Sequence, residues 1–353
     1  MTEGNKRVLS ECFSLLEHPF EPQGDPRRNL DFQALGVSLA KTLDVFKVKE
    51  LGAFLVRTGP FETGINTIDG FLDGLPAGGD APAFLIEGSK GVGRSTMANY
   101  IASRIKERNQ DKASLYEITV GSEHFGKLLF TIKAKIAAHI RKFQVSDCDD
   151  ALNSYSEIAI NPQDPSQEFL LQIFTDLRAC LAGAPPLVLV IESINFMRQD
   201  WIEKLSDALG QLNVVLIFLT EDPRVRNHFV ALRNGALLKG IEVRLTPLDR
   251  QMAEDFLKAR LEAFRADQTP LDRAGLFPFV SQVLMEAIPP GKTIGIKLLE
   301  YIVHGAFNMK VEELAPKFPA PNQEPNPPIM LEQMVIPFEY LKRYYASSLR
   351  SGN

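Results

Sequence analysis

Cysteine is scarce. The 353 residues hold three, at Cys12, Cys148 and Cys180, and no two form a C-x-x-C pair. That spacing excludes a disulfide framework and a thiolate zinc cluster. Histidine is also thin: His18, His124, His139, His228 and His304 are scattered and never form H-E-x-x-H. No G-x-S-x-G elbow is present, so the usual zinc-protease and serine-hydrolase signatures are both missing. No apolar run approaches the ~18 residues of a membrane span. The start, "MTEGNKRVLSECF", lacks the apolar core of a secretory leader, so a reducing, cytoplasmic setting is expected. Excess charge of one sign is missing too. Lys+Arg 39 against Asp+Glu 44 gives −5, with no global pull toward nucleic acid or an anionic membrane. What is plentiful is apolar surface: 45% of residues are hydrophobic, enough for one large or two modest cores.

Those apolar residues alternate between two patterns. "AFLIE" (83–87), "SLYEITV" (114–120), "LVLVIE" (187–192), "VVLIFLT" (214–220) and "IEVRLTPL" (241–248) read as strands. Three of them are continuous apolar runs, the mark of strands buried on both faces. Between them lie helical patterns: "STMANYIASRIKERNQ", "EHFGKLLFTIKAKIAAHIRKFQ", "SQEFLLQIFTDLRACLAG" and "QDWIEKLSDALGQL". Such alternation predicts a parallel sheet wrapped by helices. From Asp249 the strands stop, and "RQMAEDFLKARLEAF", "FPFVSQVLMEAI" and "TIGIKLLEYIVHGAF" read as three helices. Residues 13–29 read as irregular, residues 31–48 as a helix, and residues 315–328 as a proline-rich tether. A final apolar and aromatic segment, "IMLEQMVIPFEYLKRYYASSLR", closes the chain and is expected to dock on a partner or on its own core.

The most informative stretch is "FLIEGSKGVGRST" (84–96). Its spacing is that of a phosphate-binding loop, G-x-x-x-x-G-K-[ST], set between a strand and a helix. Gly88, Gly91 and Gly93 let the backbone turn tightly, so that successive N–H groups face an anion. Lys90 adds a positive charge within the loop. Ser95 is placed to hold Mg²⁺ through its hydroxyl, with Thr96 as its companion. Arg94 occupies the lysine position. A guanidinium binds phosphate as a rigid planar fork, not as a compact point charge. Nucleotide binding is therefore expected to survive better than the fine positioning that transfer needs.

A second acidic element follows at the end of "LVLVIES". Glu192 is a hard oxygen ligand suited to Mg²⁺. The next position, where a general base would orient water, is Ser193, whose neutral hydroxyl is a poor base. The fourth strand ends at Thr220, placed to sense a terminal phosphate. Glu221 or Asp222 beside it offers a substitute base, or else a helix cap.

This order of elements resembles the AAA+ ATPases and their STAND relatives, over about Leu51 to Asn308. Leu245-Thr246-Pro247-Leu248 is similar to the stretch leading into the helical lid of that group. The resemblance implies a five-stranded parallel P-loop sheet with a C-terminal helical lid. It implies ATP or ADP with Mg²⁺ as cofactors, a lid cation at Lys292 where arginine is usual, and Arg224, Arg226 or Arg233 as a finger reaching a neighbouring subunit of a homo-oligomer. The expected division is an extension (1–56), a nucleotide-binding domain (57–248), a lid (249–314) and a tether with docking segment (315–353). Arg94, Ser193 and Lys292 depart from the pattern in the same direction. The expected function is therefore a nucleotide-binding switch or scaffold with weak hydrolysis and a protein partner. The alternative, an ATPase assembling on DNA, draws only on the basic helix face at Lys133–Lys142.

Overall fold

The computed structural model describes residues 3–15, 45–47, 55–56, 59–75, 81–120, 125–145, 167–181, 184–192, 199–210, 212–235, 239–265, 270, 272, 274–281, 288, 291–318 and 329–350. Readings that fall on Ser193, on 31–44 and 48 of the helix expected at 31–48, on 282–287 and on 319–328 of the tether lie outside them.

Five apolar runs form one sheet in the order β2-β3-β4-β1-β5. The strands are β1 (Ala83–Glu87), β2 (Ser114–Thr119), β3 (Leu187–Glu192), β4 (Val214–Thr220) and β5 (Gly240–Arg244), and every pairing is parallel. Parallel neighbours need crossovers, and the helices supply them. These are α3 (Arg94–Arg108), α4 (Phe125–Phe143), α5 (Gln167–Asp176), α6 (Arg178–Leu181), α7 (Gln199–Gly210) and α8 (Pro223–Asn234). Before the sheet come α1 (Glu3–Arg7), which continues into a further helical turn at Val8–Cys12, and α2 (Gly59–Asp73).

Side chains alternate across the pleat and feed two cores. Phe84, Ile86, Val188, Val190, Ile217 and Leu219 face α2, α3 and the helical region. Leu85, Leu187, Leu189, Ile191, Leu216 and Phe218 face α4, α5, α7 and α8. Each fully buried Leu, Ile or Phe contributes about 1.5–3 kcal/mol, which is why β1, β3 and β4 tolerate no polar residue before their last position. The expected fifth strand ends early, at Arg244. Leu245 still donates its N–H to the Glu87 carbonyl (2.8 Å), but Pro247 has no N–H to extend a ladder.

The C-terminal helical domain is built on α9 (Arg250–Glu262) and α10 (Ile296–Leu314). Asp249 caps α9 by accepting from Met252 N–H (2.9 Å). Both chain ends pack here. From the N-terminal segment, the Phe13 ring lies 5.2 Å from that of Phe307, and the Arg7 guanidinium sits 4.7 Å over Phe318. From the C-terminal segment, α11 (Leu331–Met334) and α12 (Phe338–Arg350) return to α10. Tyr301 and Tyr344 meet edge to face at 5.9 Å, and a Cβ on Gly305 would run into the Tyr344 ring. Buried Lys310 donates to Glu313 (2.7 Å) and to the Gln333 carbonyl (3.0 Å), while Tyr340 donates to Glu313 (2.8 Å). Of the two fates expected for the closing aromatic segment, its described residues take the internal one. Among the described residues no helix is long and apolar enough to cross a membrane.

Candidate functional site

The loop Gly88–Gly93 leaves β1, between β4 and the edge strand β5, and enters α3. Gly91 (φ 85°) and Gly93 (φ 101°) adopt left-handed backbone, where a side chain would be strained. Gly88 is required for a different reason: a Cβ there would strike the Leu245 carbonyl oxygen and the Val92 side chain. Its N–H is held by the Thr220 carbonyl (3.0 Å), which ties the loop to β4. Gly93 caps α3 without a side chain, so the helix presents its first N–H groups to the loop's concave side.

A cavity of about 260 Å³ opens here, lined by Lys90, Gly91, Gly93, Arg94, Ser95, Thr96 and Glu192 from the α/β domain. Ile296, Lys297 and Glu300 of α10 complete it. That size lies just below the usual range for whole small-molecule sites. Across it Ser95 Oγ donates to Glu192 Oε1 (3.4 Å). The loop hydroxyl and the acidic strand end, read separately in sequence, thus meet. Both are hard oxygen donors, and Mg²⁺ is characteristically held by one or two such groups plus phosphate and water. Among the described residues no cluster of three His, Cys, Asp or Glu forms a dedicated metal cage.

Arg94 does not point free into the cavity. Its Nη2 donates to Glu221 Oε1 at 2.6 Å, with side-chain exposures of 19% and 45%. A pair this exposed contributes about 0.2–1 kcal/mol. The sequence offered Glu221 as a substitute base or part of a helix cap, not as a partner of Arg94. Thr220 is buried, its hydroxyl accepts from the Asp222 N–H (3.0 Å), and it does not line the cavity. Asp222 caps α8 by accepting from the Arg224 N–H (2.9 Å), with Pro223 at the first helical position. Its carboxylate also takes the Arg224 guanidinium (Nη2 2.7 Å), which holds it below the ordinary aspartate value. The helix-cap reading of that turn is therefore what the backbone adopts.

Lys292 is exposed in the turn before α10 and is not among the lining residues. The cation on the helical wall is Lys297, in the helix's first turn. Its backbone N–H donates to the Gly91 carbonyl (3.0 Å), joining helix and loop directly. One turn on, Glu300 lines the same cavity and meets Arg260 Nη2 of α9 at 2.9 Å. Both are almost wholly buried. Burial pushes Glu300 up to about 7, with Arg260 pulling the other way. Burial likewise draws Arg260 below its ordinary value, and its Nε and Nη1 find no hydrogen-bond partner among the described residues.

Of the arginines considered as a finger, Arg226 is held within the chain by Glu242 (3.2 Å) and Glu87 (3.4 Å). Arg224 is engaged by Asp222, and Arg233 is half-buried on α8. Two cations of the basic face of α4 are engaged within the chain: Lys135 lies 5.4 Å over the Tyr116 ring, and Lys142 donates to Ser114 Oγ (3.1 Å).

No protein-family model matches the sequence, and no curated protein does. Among solved structures the chain is similar to the Aeropyrum pernix ORC2 protein in its ADPNP–ADP complexes, at 12% identity over 84% of this chain and 70% of that one (TM-score 0.49). It is similar to the Aeropyrum pernix ORC1 protein in complex with DNA, at 13% identity over 87% and 70% (TM-score 0.49). Domain III of the Thermotoga maritima replication initiation protein DnaA is similar at 13% identity over 83% and 95% (TM-score 0.42).

Proposed function

We propose that this chain, an AAA+-type P-loop fold, is an adenine-nucleotide-binding switch that turns its ligand over slowly. The observation that carries the reading is the meeting of Ser95 and Glu192 in a cavity walled on one side by the glycine loop and on the other by Lys297. The loop N–H groups and the start of α3 favour an anion. Lys90, Arg94 and Lys297 supply cations from three directions. Ser95 and Glu192 would hold Mg²⁺, which bridges and neutralises phosphate oxygens when bound. Because α10 contributes one wall, a bound triphosphate ties the helical domain to the sheet. The surface formed on α10 by the two chain ends is where a protein partner, or a second copy of this chain, would read the result.

Weak turnover follows from the side chains available to activate water. Asp222 is committed to its helix cap, Glu300 to Arg260, and Glu192 to the Mg²⁺ position beside Ser95. A missing base lowers the rate by about 10²–10⁴. Isothermal titration of the purified full chain with ATP and Mg²⁺ should show saturable binding that Arg94→Ala weakens at least tenfold, with little phosphate released. Fast, Mg²⁺-dependent phosphate release lost in Arg94→Ala would sink the slow-turnover reading, and absence of any nucleotide binding would sink the whole of it.

A further inference from the structure

Glu221 stands in an unusual place. It is the first residue beyond β4 and is fixed from both sides. The Thr220 carbonyl before it is bonded to Gly88, and Asp222 after it caps α8. So positioned, its carboxylate oxygen lies 2.6 Å from Arg94 Nη2, at the residue that replaces the phosphate-binding lysine. A carboxylate and a phosphate present the same thing to a guanidinium: anionic oxygens that accept charge-assisted hydrogen bonds. The loop's principal cation is thus already engaged by an anion of the chain itself.

We infer that Glu221 is an internal competitor for the ligand's phosphate, and that it sets which nucleotides this cavity accepts. The inference rests on the nucleotide-binding reading above. A ligand that engages Arg94 must displace Glu221 or share the guanidinium with it. The residue at this loop position reaches the outer phosphates of a nucleotide. The penalty therefore falls on ATP and ADP and spares AMP, whose single phosphate stops short. Glu221 narrows the preference of the site for di- and triphosphates over monophosphates and holds affinity below what the loop alone would give. Its half-exposed position keeps the effect modest, because an exposed ion pair is worth a small multiple in a binding constant.

The test is calorimetric titration of ATP, ADP and AMP, each with Mg²⁺, into the full-length chain. Four proteins are compared: wild type, Glu221→Gln, Arg94→Ala and the double variant. Glutamine keeps the shape of the side chain, and the site is open enough for folding to be untouched. Glu221→Gln should tighten ATP and ADP about two- to fivefold and leave AMP unchanged. In the Arg94→Ala background the same substitution should give no gain, since the coupling of the two residues is what the cycle isolates. Unchanged or weaker ATP binding in Glu221→Gln, an equal gain for AMP, or a gain that persists without Arg94 would each overturn the inference while leaving nucleotide binding intact. Failure of both wild type and Glu221→Gln to bind any of the three would overturn it together with the reading it rests on.

Discussion

Glu300 stands between the buried Arg260 guanidinium and the loop cavity. Arg260 faces it from α9, Lys297 flanks it on its own helix, and Lys90, Arg94 and Glu192 line the opposite side. Burial raises its folded value to about 7, above the ordinary 4.5. The folded chain then holds a proton that the unfolded chain has released, so stability is full below about pH 4.5 and is lost as pH rises toward and through 7. Thermal unfolding should show a midpoint that falls between pH 5 and pH 8, and Glu300→Gln should flatten that fall. An equally steep fall in the variant would assign the effect elsewhere. At this scale the sequence was legible where chemistry is contiguous. The glycine loop, Arg94, Ser95 and Glu192 all arrive where a motif and a strand end place them. The sequence reading put the cation of the helical side at Lys292, whereas Lys297, in the first turn of α10, lines the cavity; the available signal was Gly295 at the start of that helix. Glu300 was illegible as a site residue, and Glu221, read as a substitute base, was illegible as the partner of Arg94, because the groups they meet come from other elements brought close only by the fold.

Element boundaries were clearest where burial on both faces forces a continuous apolar run. β1, β3 and β4 begin and end where those runs do. β5 lies at the sheet's edge and is only partly buried, so its pattern gave no sharp end. Packing between helices was the least legible feature, and Gly305 illustrates why. In isolation a glycine inside a 19-residue helix weakens it by about 1 kcal/mol relative to alanine. Here it makes room for the Tyr344 ring of α12. Gly305→Ala should therefore destabilise the full chain by about 1–3 kcal/mol through overpacking. Combined with Tyr344→Ala, which removes the obstacle, the same substitution should be neutral or stabilising by up to about 1 kcal/mol. Chemical denaturation of the four proteins decides it; a destabilising Gly305→Ala in both backgrounds would mean that the ring is not the cause.

Across the whole molecule, the cavity is lined both by the α/β domain and by α10 of the helical domain. A ligand held by both should stabilise the fold by mass action, by about 2.7 kcal/mol at a concentration one hundred times its dissociation constant. Amide hydrogen exchange with ATP and Mg²⁺ should slow at the start of α3 and in the first turn of α10 together, and protection confined to α3 would show that the helical domain does not take part. The bond from Lys297 N–H to the Gly91 carbonyl gives this coupling a mechanical form. It fastens one end of a stiff rod to the loop, and the rod, 19 residues at 1.5 Å each, is about 28 Å long. The Phe307 and Lys310 contacts with the N- and C-terminal segments lie along that far half, so the helix that meets the loop also carries both of those segments.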